Sequence, residues 1–444
     1  MSDDGIMTTP PEFPIEDIAP TGDVVLDVKY SNGRRGYRVE SSDLKKSSRY
    51  FRALLGSGFS EAKSVEEGLA RLAIQGVKPS EAPADSLPHI EIEQDDVGSR
   101  VPSTYLFAAF PDLLRIVHGQ AVTSVVKIRY LAALAVIADR FNCADAVSRT
   151  WASVVGNSKR TTWLQSPPPN YAPGIDSKLG LLEEEEIRQS ILVSWIFNLP
   201  REMYVYTQAL IRCGSRLWLL QEEEAGHQED GAGLQEDDAS LWGPWWDLPD
   251  GLEDELQRRR ECIMATLASI PRHFLGLYLS RQRQCPLGSA SCDSFHLGEM
   301  VKFLTRRWLV SLVDFSPNGA GHLPNAIAAC ASVQPNRILS ILREMPGYQI
   351  DDSHKSCGPR RRMQRILDCM GFALASKSIP IDWDGWKTDR ASASWFSSDA
   401  GHKVYTFRFD LHLTMDHFVN GLHGSEQLMK SMFTANEWDW TPEP

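Results

Sequence analysis

The residues with the clearest capacity for chemistry are three cysteines and one histidine in the C-terminal half of the sequence. Cys285 and Cys292 flank a loop rich in Pro, Gly and Ser, and His354 and Cys357 follow in a second loop with H-x-x-C spacing. Thiolate and imidazole suit Zn²⁺, and four such ligands close a tetrahedral structural site with donor atoms within about 4 Å of one another. The C-x6-C spacing is looser than that of a zinc knuckle. The four residues therefore predict either a structural zinc site or cysteines that pack in small cores.

Helices must position both loops. Stripes of apolar residues at helical spacing begin at Leu252, before the first loop, and at Met363, after the second. Such stripes are typical of core faces, so we expect a mostly α-helical domain. The aromatic C-terminal segment, with Trp438 and Trp440, is either a docking peptide or a segment that folds back, and we expect the second.

Composition changes along the chain predict its domain organisation. Residues 1–21 contain several prolines and are expected to form a flexible tail, and residues 22–155 a compact α+β domain. Three consecutive prolines mark residues 156–178 as a linker. Residues 179–444 form the predicted helical domain, interrupted by an acidic stretch at 221–240 that we expect to be a disordered loop.

Motifs of known enzymes are absent from the sequence. It has no G-x-S-x-G elbow, no Walker A loop, no G-x-G-x-x-G fingerprint and no H-E-x-x-H helix. Paired acids such as Asp351-Asp352 are typical of solvated loops. We therefore predict a protein that is not an enzyme and has no catalytic residue.

Charge and composition restrict the partners and the compartment. The 444 residues carry a formal net charge of −12, which disfavours binding to nucleic acid or to anionic membranes. We find neither a signal peptide nor an apolar run of the roughly 20 residues that a membrane helix needs. The eight cysteines then predict free thiols or metal ligands in a reducing compartment, which is the cytoplasm or the nucleus.

The N-terminal domain has a clear pattern of strands and helices. Asn32-Gly33 is a strong hairpin turn signal, and Ser41 to Asp43 are favourable residues for a helix N-terminus. The predicted strands are 24–28, 37–39 and 89–93, and the predicted helices cover 44–55, 103–118, 127–141 and 144–155.

This order of elements resembles the BTB/POZ fold, and the residues strengthen the resemblance. The segments GDVVL at 22–26, SRYFRALL at 48–55 and LAALAVIADRFNC at 131–143 are similar to the opening strand and helices of that family, especially in its fungal members. The C-terminal region also resembles that of the same fungal proteins around Cys292-Asp293 and in HKSCGPR at 354–360. That likeness favours the zinc site.

Two positions differ from the family pattern. Glu40 stands where the family often has His before its signature helix, and Ser41 stands where a basic residue often follows. Asp23 matches an acidic position that works with that basic residue in a ligand groove of some transcription-factor members. We therefore do not expect such a groove here.

The resemblance implies an oligomeric adaptor that acts by protein–protein interaction. The expected partners are a second copy of the chain or a cullin scaffold, with neither membrane nor nucleic acid among them. One alternative is a substrate adaptor that recruits a cullin ubiquitin ligase, and another is a nuclear transcriptional or chromatin-associated regulator. An enzyme hidden in the helical region is the remaining alternative.

Overall fold

The computed structural model describes residues 13–30, 33–93, 103–122, 127–156, 178–215, 218, 248–313, 333–396, 403–407 and 425–441. The chain divides into two compact units. Of the described residues, the first unit comprises 13–156 with their gaps and 188–202, and the second comprises 178–187, 203–218 and those from 248 onward. The predicted linker and acidic loop lie almost wholly outside the described residues.

A four-stranded sheet forms the base of the first unit. Its strands are β1 (Ile15–Asp17), β2 (Val24–Tyr30), β3 (Gly33–Val39) and β4 (His89–Glu93), in the order β1-β3-β2-β4. Strands β2 and β3 form the predicted antiparallel hairpin, whereas β4 pairs parallel with β2 and β1 parallel with β3. The apolar residues of β2 are fully buried, as its sequence predicts.

In the described part of the first unit, six α-helices and the second half of a seventh complete the fold. They are α1 (Ser41–Ser47), α2 (Arg49–Leu54), α3 (Ser60–Ile74), α4 (Ser103–Val117), α5 (Ile128–Arg140), α6 (Ala144–Gly156) and α7 (Lys178–Ile196). Ser48 caps α2, because its hydroxyl accepts a hydrogen bond from the Phe51 N–H at 3.0 Å and donates one to the Phe141 carbonyl at 2.5 Å. The predicted mixed α/β unit with a small sheet is confirmed.

The described end of the predicted tail is ordered. Strand β1 adds to the sheet edge, Ile18 is buried, and the Ile18 carbonyl accepts a hydrogen bond of 2.6 Å from the Gln120 side chain. Glu16 also pairs with Arg115 of α4. Residues 13–21 thus differ from the flexible tail predicted for 1–21, because their apolar side chains complete the core instead of remaining in solvent.

The boundary between the units also differs from the predicted one. It falls inside α7, whereas the sequence places all of 179–444 in the second domain. Leu192, Val193 and Phe197 are buried in the core of the first unit, and the Phe197 carbonyl accepts a hydrogen bond of 2.9 Å from Ser148. Burial of these three side chains accounts for the shift.

The second unit is mostly helical. Its helices are the first half of α7, α8 (Pro200–Cys213) from Met203 onward, α9 (Leu252–Leu279), α10 (Ala290–Arg306), α11 (Pro335–Arg343), α12 (Arg360–Ala375), α13 (Trp383–Thr388), α14 (Arg390–Ala393) and α15 (Ser425–Phe433). A short parallel pair, β5 (Val404–Thr406) and β6 (Glu437–Asp439), joins them. Trp440 is buried, and its indole N–H donates to the Ser269 hydroxyl at 2.9 Å, so the C-terminal segment folds back as expected.

Helix α9 is the core helix of this unit. Among the described residues it is the one helix long and apolar enough to cross a membrane by length and composition, and 67% of that apolar window is buried inside the protein. It also buries charged side chains, including Glu255 and Arg259. A window that is largely buried inside the protein is the pattern of a core helix.

The buried pair on α9 organises the chain that packs over it. Arg259 contacts Glu255 at 2.7 Å and donates to the carbonyl groups of Ile379, Pro380 and Ala393 at 3.0, 2.5 and 2.8 Å. A guanidinium group provides this fork of donors, which an ammonium group cannot reproduce. Arg259 therefore fixes residues from distant parts of the sequence.

We expect Arg259→Lys to lower the free energy of unfolding by about 2 kcal/mol, because the charge remains but at least two hydrogen bonds are lost. Arg258→Lys is the matched control, since Arg258 is exposed beside it. Urea unfolding of the full chain measures both. Equal stability of the two variants would show that the carbonyl contacts contribute nothing.

Candidate metal centre

The first ligand loop lies between α9 and α10. Its end is fixed by Ser289, the N-cap of α10, whose hydroxyl accepts a hydrogen bond from the Cys292 N–H at 3.3 Å. The buried carboxylate of Asp293 accepts from the N–H groups of Gln284 and Cys285 at 3.1 and 2.9 Å. Asp293 therefore holds the start of the loop against the first turn of α10, which brings Cys285 next to Cys292.

The second ligand loop precedes α12. Asp351 begins a short 3-10 turn, Asp352–His354, and accepts hydrogen bonds from the N–H and hydroxyl of Ser353 at 2.9 and 2.6 Å. The Cys357 N–H donates to the His354 carbonyl at 3.2 Å. The Cys357 carbonyl in turn accepts a hydrogen bond of 2.5 Å from the hydroxyl of Tyr278, on α9. These contacts aim both side chains at the first loop.

The structure brings all four predicted residues together. Cys285 Sγ lies 3.5 Å from His354 Nδ1 and 3.7 Å from Cys357 Sγ, and Cys357 Sγ lies 3.4 Å from His354 Nδ1. All four donor atoms, including that of Cys292, lie within 4.8 Å of one another. A tetrahedral zinc site with Zn–S bonds of about 2.3 Å places its sulfur atoms about 3.8 Å apart. The 3.7 Å between the sulfur atoms of Cys285 and Cys357 matches that spacing, whereas the limit of 4.8 Å for all four donor atoms is wider than the predicted 4 Å.

The cluster is buried, and it can hold a metal ion. Each of the four residues is buried, and His354 is the most exposed at 9%. All seven cysteines of the described part of the chain are free thiols. Four protein donors around one point leave no position for a catalytic water.

The surroundings of Cys285 favour its thiolate form, whereas those of Cys292 favour the protonated thiol. Burial raises the pKa of the Cys285 thiol, but backbone N–H groups of Ser289 and Leu287 outweigh this effect and lower the pKa to about 7. Burial and hydrogen bonds from the neighbouring thiols raise the pKa of Cys292 to about 12. A metal ion that binds here must displace protons, so its affinity is expected to rise with pH.

One residue beside the cluster is absent from the sequence prediction. His296, on α10, is fully buried, and within the described part of the chain neither ring nitrogen has a hydrogen-bond partner. Its ring lies 5.8 Å from that of Tyr278. The sequence does contain a signal that could have identified His296 as a candidate ligand. It follows Cys292 with C-x3-H spacing, and residues four apart on a helix have their side chains on one face.

The acidic position noted in the first unit has a structural role. The Asp23 carboxylate accepts hydrogen bonds from the N–H and hydroxyl of Ser41 at 2.7 and 2.6 Å. It thereby stabilises the start of α1. The Glu40 N–H donates to His118 Nε2 at 3.0 Å. Asp23 is therefore paired with Ser41 and not with the basic residue that a ligand groove would need.

Comparisons with family models, curated proteins and solved structures found no match to this chain. The fold and the site define a mixed α/β protein with a small N-terminal sheet, many helices and a buried cysteine–histidine cluster that can hold a metal ion.

Proposed function

We propose that this chain is a non-enzymatic adaptor that binds other proteins through a BTB/POZ-like first unit. The observation that carries the proposal is the element order of that unit: the β2–β3 hairpin, the capped helix α2, the parallel strand β4 and then a run of helices. Domains of that family act as interaction modules, so the likeness supports binding to a second copy or to a partner protein.

Exposed apolar side chains on the first unit support protein binding. Phe59 precedes α3 and is 50% exposed, and Ile74, at the end of that helix, is 86% exposed. The two residues lie at opposite ends of a 15-residue helix, about 20 Å apart, so they are two separate exposed side chains at which binding can be tested and not one apolar patch. We propose α3 as part of the binding surface.

We further propose that the four-residue cluster holds structural Zn²⁺. Three thiols and one imidazole match the ligand preference of zinc. Cys285 and Cys357 are 72 positions apart in the sequence, so the metal would tie two loops that no local interaction joins. Four protein ligands support a structural role over a catalytic one.

Affinity capture from cell extract, followed by mass spectrometry, tests the adaptor proposal. We expect the full chain to retain a specific set of proteins that Ile74→Glu no longer retains. Val404→Glu is the control, because Val404 is also an exposed β-branched residue but belongs to the second unit, outside the ligand loops. Cullin peptides would identify a ubiquitin ligase adaptor, and chromatin proteins would identify a nuclear regulator. An identical set for both variants would contradict the role of α3.

Self-association is a separate expectation. Light scattering of the full chain at micromolar concentration is expected to give a dimer, with twice the chain mass of 49.8 kDa. Phe13, Ile15 and Ile18 are the apolar residues near the N-terminus that the sequence offers for such an interface. Ile18 is buried in the core of the first unit and is not accessible to a partner, whereas Phe13 and Ile15 are partly exposed. A purely monomeric mass would exclude the dimer.

A further inference from the structure

His296 is an anomaly in a well-packed region. Its imidazole is fully buried on α10, yet neither Nδ1 nor Nε2 has a hydrogen-bond partner among the described residues. Buried polar groups are nearly always paired, and an exception points to a water or an ion that would satisfy it. The chemistry of its surroundings identifies which of the two fits.

His296 lies beside two of the metal-ligating residues. It follows Cys292 by four residues on α10, so their Cβ atoms are about 5–6 Å apart on one helix face. The same i, i+4 spacing allows both histidines of an H-E-x-x-H helix to bind one zinc ion. On its other side, a Cβ atom at Gly358 would lie 3.1 Å from His296 Cε1, so the imidazole lies against the backbone that follows Cys357.

The two histidines near the cluster differ in how firmly they are held. His354 belongs to a three-residue 3-10 turn and is flanked by the exposed residues Ser353 and Lys355. It is also the most exposed of the four cluster residues. His296, in contrast, belongs to a 17-residue helix and is completely buried. His354, the nitrogen donor of the cluster, is thus the more exposed of the two histidines. His296 is the more buried one, and its nitrogens have no hydrogen-bond partner among the described residues.

We propose that His296 is a fifth donor of the metal centre, which can replace His354 as the nitrogen ligand of Zn²⁺ or a metal of similar softness. The inference rests on the proposed metal centre. In the exchange the bond between the metal and the His354 imidazole breaks, and a bond between the metal and the His296 imidazole forms. Both imidazoles are neutral, so the three thiolates and the net charge of the site stay unchanged. Its consequence is that the loop carrying His354 can leave the metal without releasing it.

Cobalt loading of the full chain tests this exchange, since Co²⁺ reports its ligands by visible absorption. His354→Ala is expected to retain a tetrahedral spectrum with three sulfur ligands and one nitrogen ligand, and to lose no more than about 10-fold in affinity. Adding His296→Phe, which keeps a ring but removes both nitrogens, should weaken binding by a further 100-fold or so. His354→Ala with His273→Phe is the matched control, because His273 is half-buried and bonds to Thr441 at 2.7 Å instead.

Zinc release to a competing chelator gives a second measurement that leaves His354 intact. A reserve donor captures the metal when His354 dissociates, so His296→Phe alone should speed release by about 10-fold. The proposal that His296 is a fifth donor is refuted if His354→Ala binds cobalt no better than His354→Ala with His296→Phe. It is also refuted if His296→Phe releases zinc at the wild-type rate. A wild-type chain that binds no metal would refute the metal centre itself, which distinguishes the two failures.

Discussion

Cys357→Ser is expected to abolish metal binding and to destabilise the second unit, while the first unit stays folded. The substitution removes one of three thiolates, and a serine hydroxyl is a poor ligand for zinc at neutral pH. Structural zinc contributes about 10–16 kcal/mol of binding free energy in small zinc-dependent domains. The second unit has its own core around α9, so we expect loosened ligand loops and a lower melting temperature instead of complete unfolding.

Elemental analysis and hydrogen exchange measure this result. Wild type should carry one zinc ion per chain and the variant none, with faster exchange in the loops around Cys285 and His354. Cys369→Ser is the matched control, because Cys369 belongs to the adjacent helix α12 but not to the cluster. Chelation of the wild-type metal should reproduce the exchange pattern of Cys357→Ser. Zinc retained by Cys357→Ser, or lost by Cys369→Ser, would contradict the assigned ligands.

Phe51→Ala is expected to lower the free energy of unfolding of the first unit by about 3–5 kcal/mol, the usual cost of removing a core phenylalanine. Phe51 is fully buried on α2, and its N–H donates to the capping hydroxyl of Ser48. Its ring stacks on Phe141, with centroids 5.4 Å apart and planes within 5° of parallel. Phe141 also contacts Phe110, so the cavity would open at the centre of an aromatic cluster.

Hydrogen exchange of peptides from β2 under increasing urea reports the stability of the first unit within the full chain. Phe59→Ala provides the control, since that phenylalanine is half-exposed in the same unit and should cost no more than about 0.5 kcal/mol. If Phe51→Ala and Phe59→Ala opened at the same urea concentration, the core described for this unit would be incorrect.

Local signals in the sequence were sufficient for several features. The turn at Asn32-Gly33 predicted the β2–β3 hairpin, and Ser41 to Asp43 predicted the start of a helix, although the predicted helix 44–55 is divided at Ser48 into α1 and α2. Residue type and loop position were enough to select Cys285, Cys292, His354 and Cys357, which the structure brings together. These features depend on backbone preferences and ligand chemistry that act within a few residues, so a single sequence contains them.

Other features depend on neighbours that are distant in the sequence. Arg259 and Arg260 are both buried although they are charged, and Arg259 donates to carbonyl groups more than 100 positions away. Ile18 belonged to a predicted tail, yet the side chain of Gln120 holds its carbonyl. Burial of a charge or of a chain end is set by the surfaces that pack over it, which no local pattern specifies.

The metal centre shows both kinds of information in one place. The sequence by itself determined which side chains could act as ligands, because thiols and imidazoles are donor groups that zinc prefers. Tertiary structure alone decided that Cys285 and Cys357 meet at 3.7 Å, and that His296 is buried without a hydrogen-bond partner in the described chain. The physical reason is that ligand chemistry belongs to each residue, whereas convergence and the lack of a partner are properties of the packing around it.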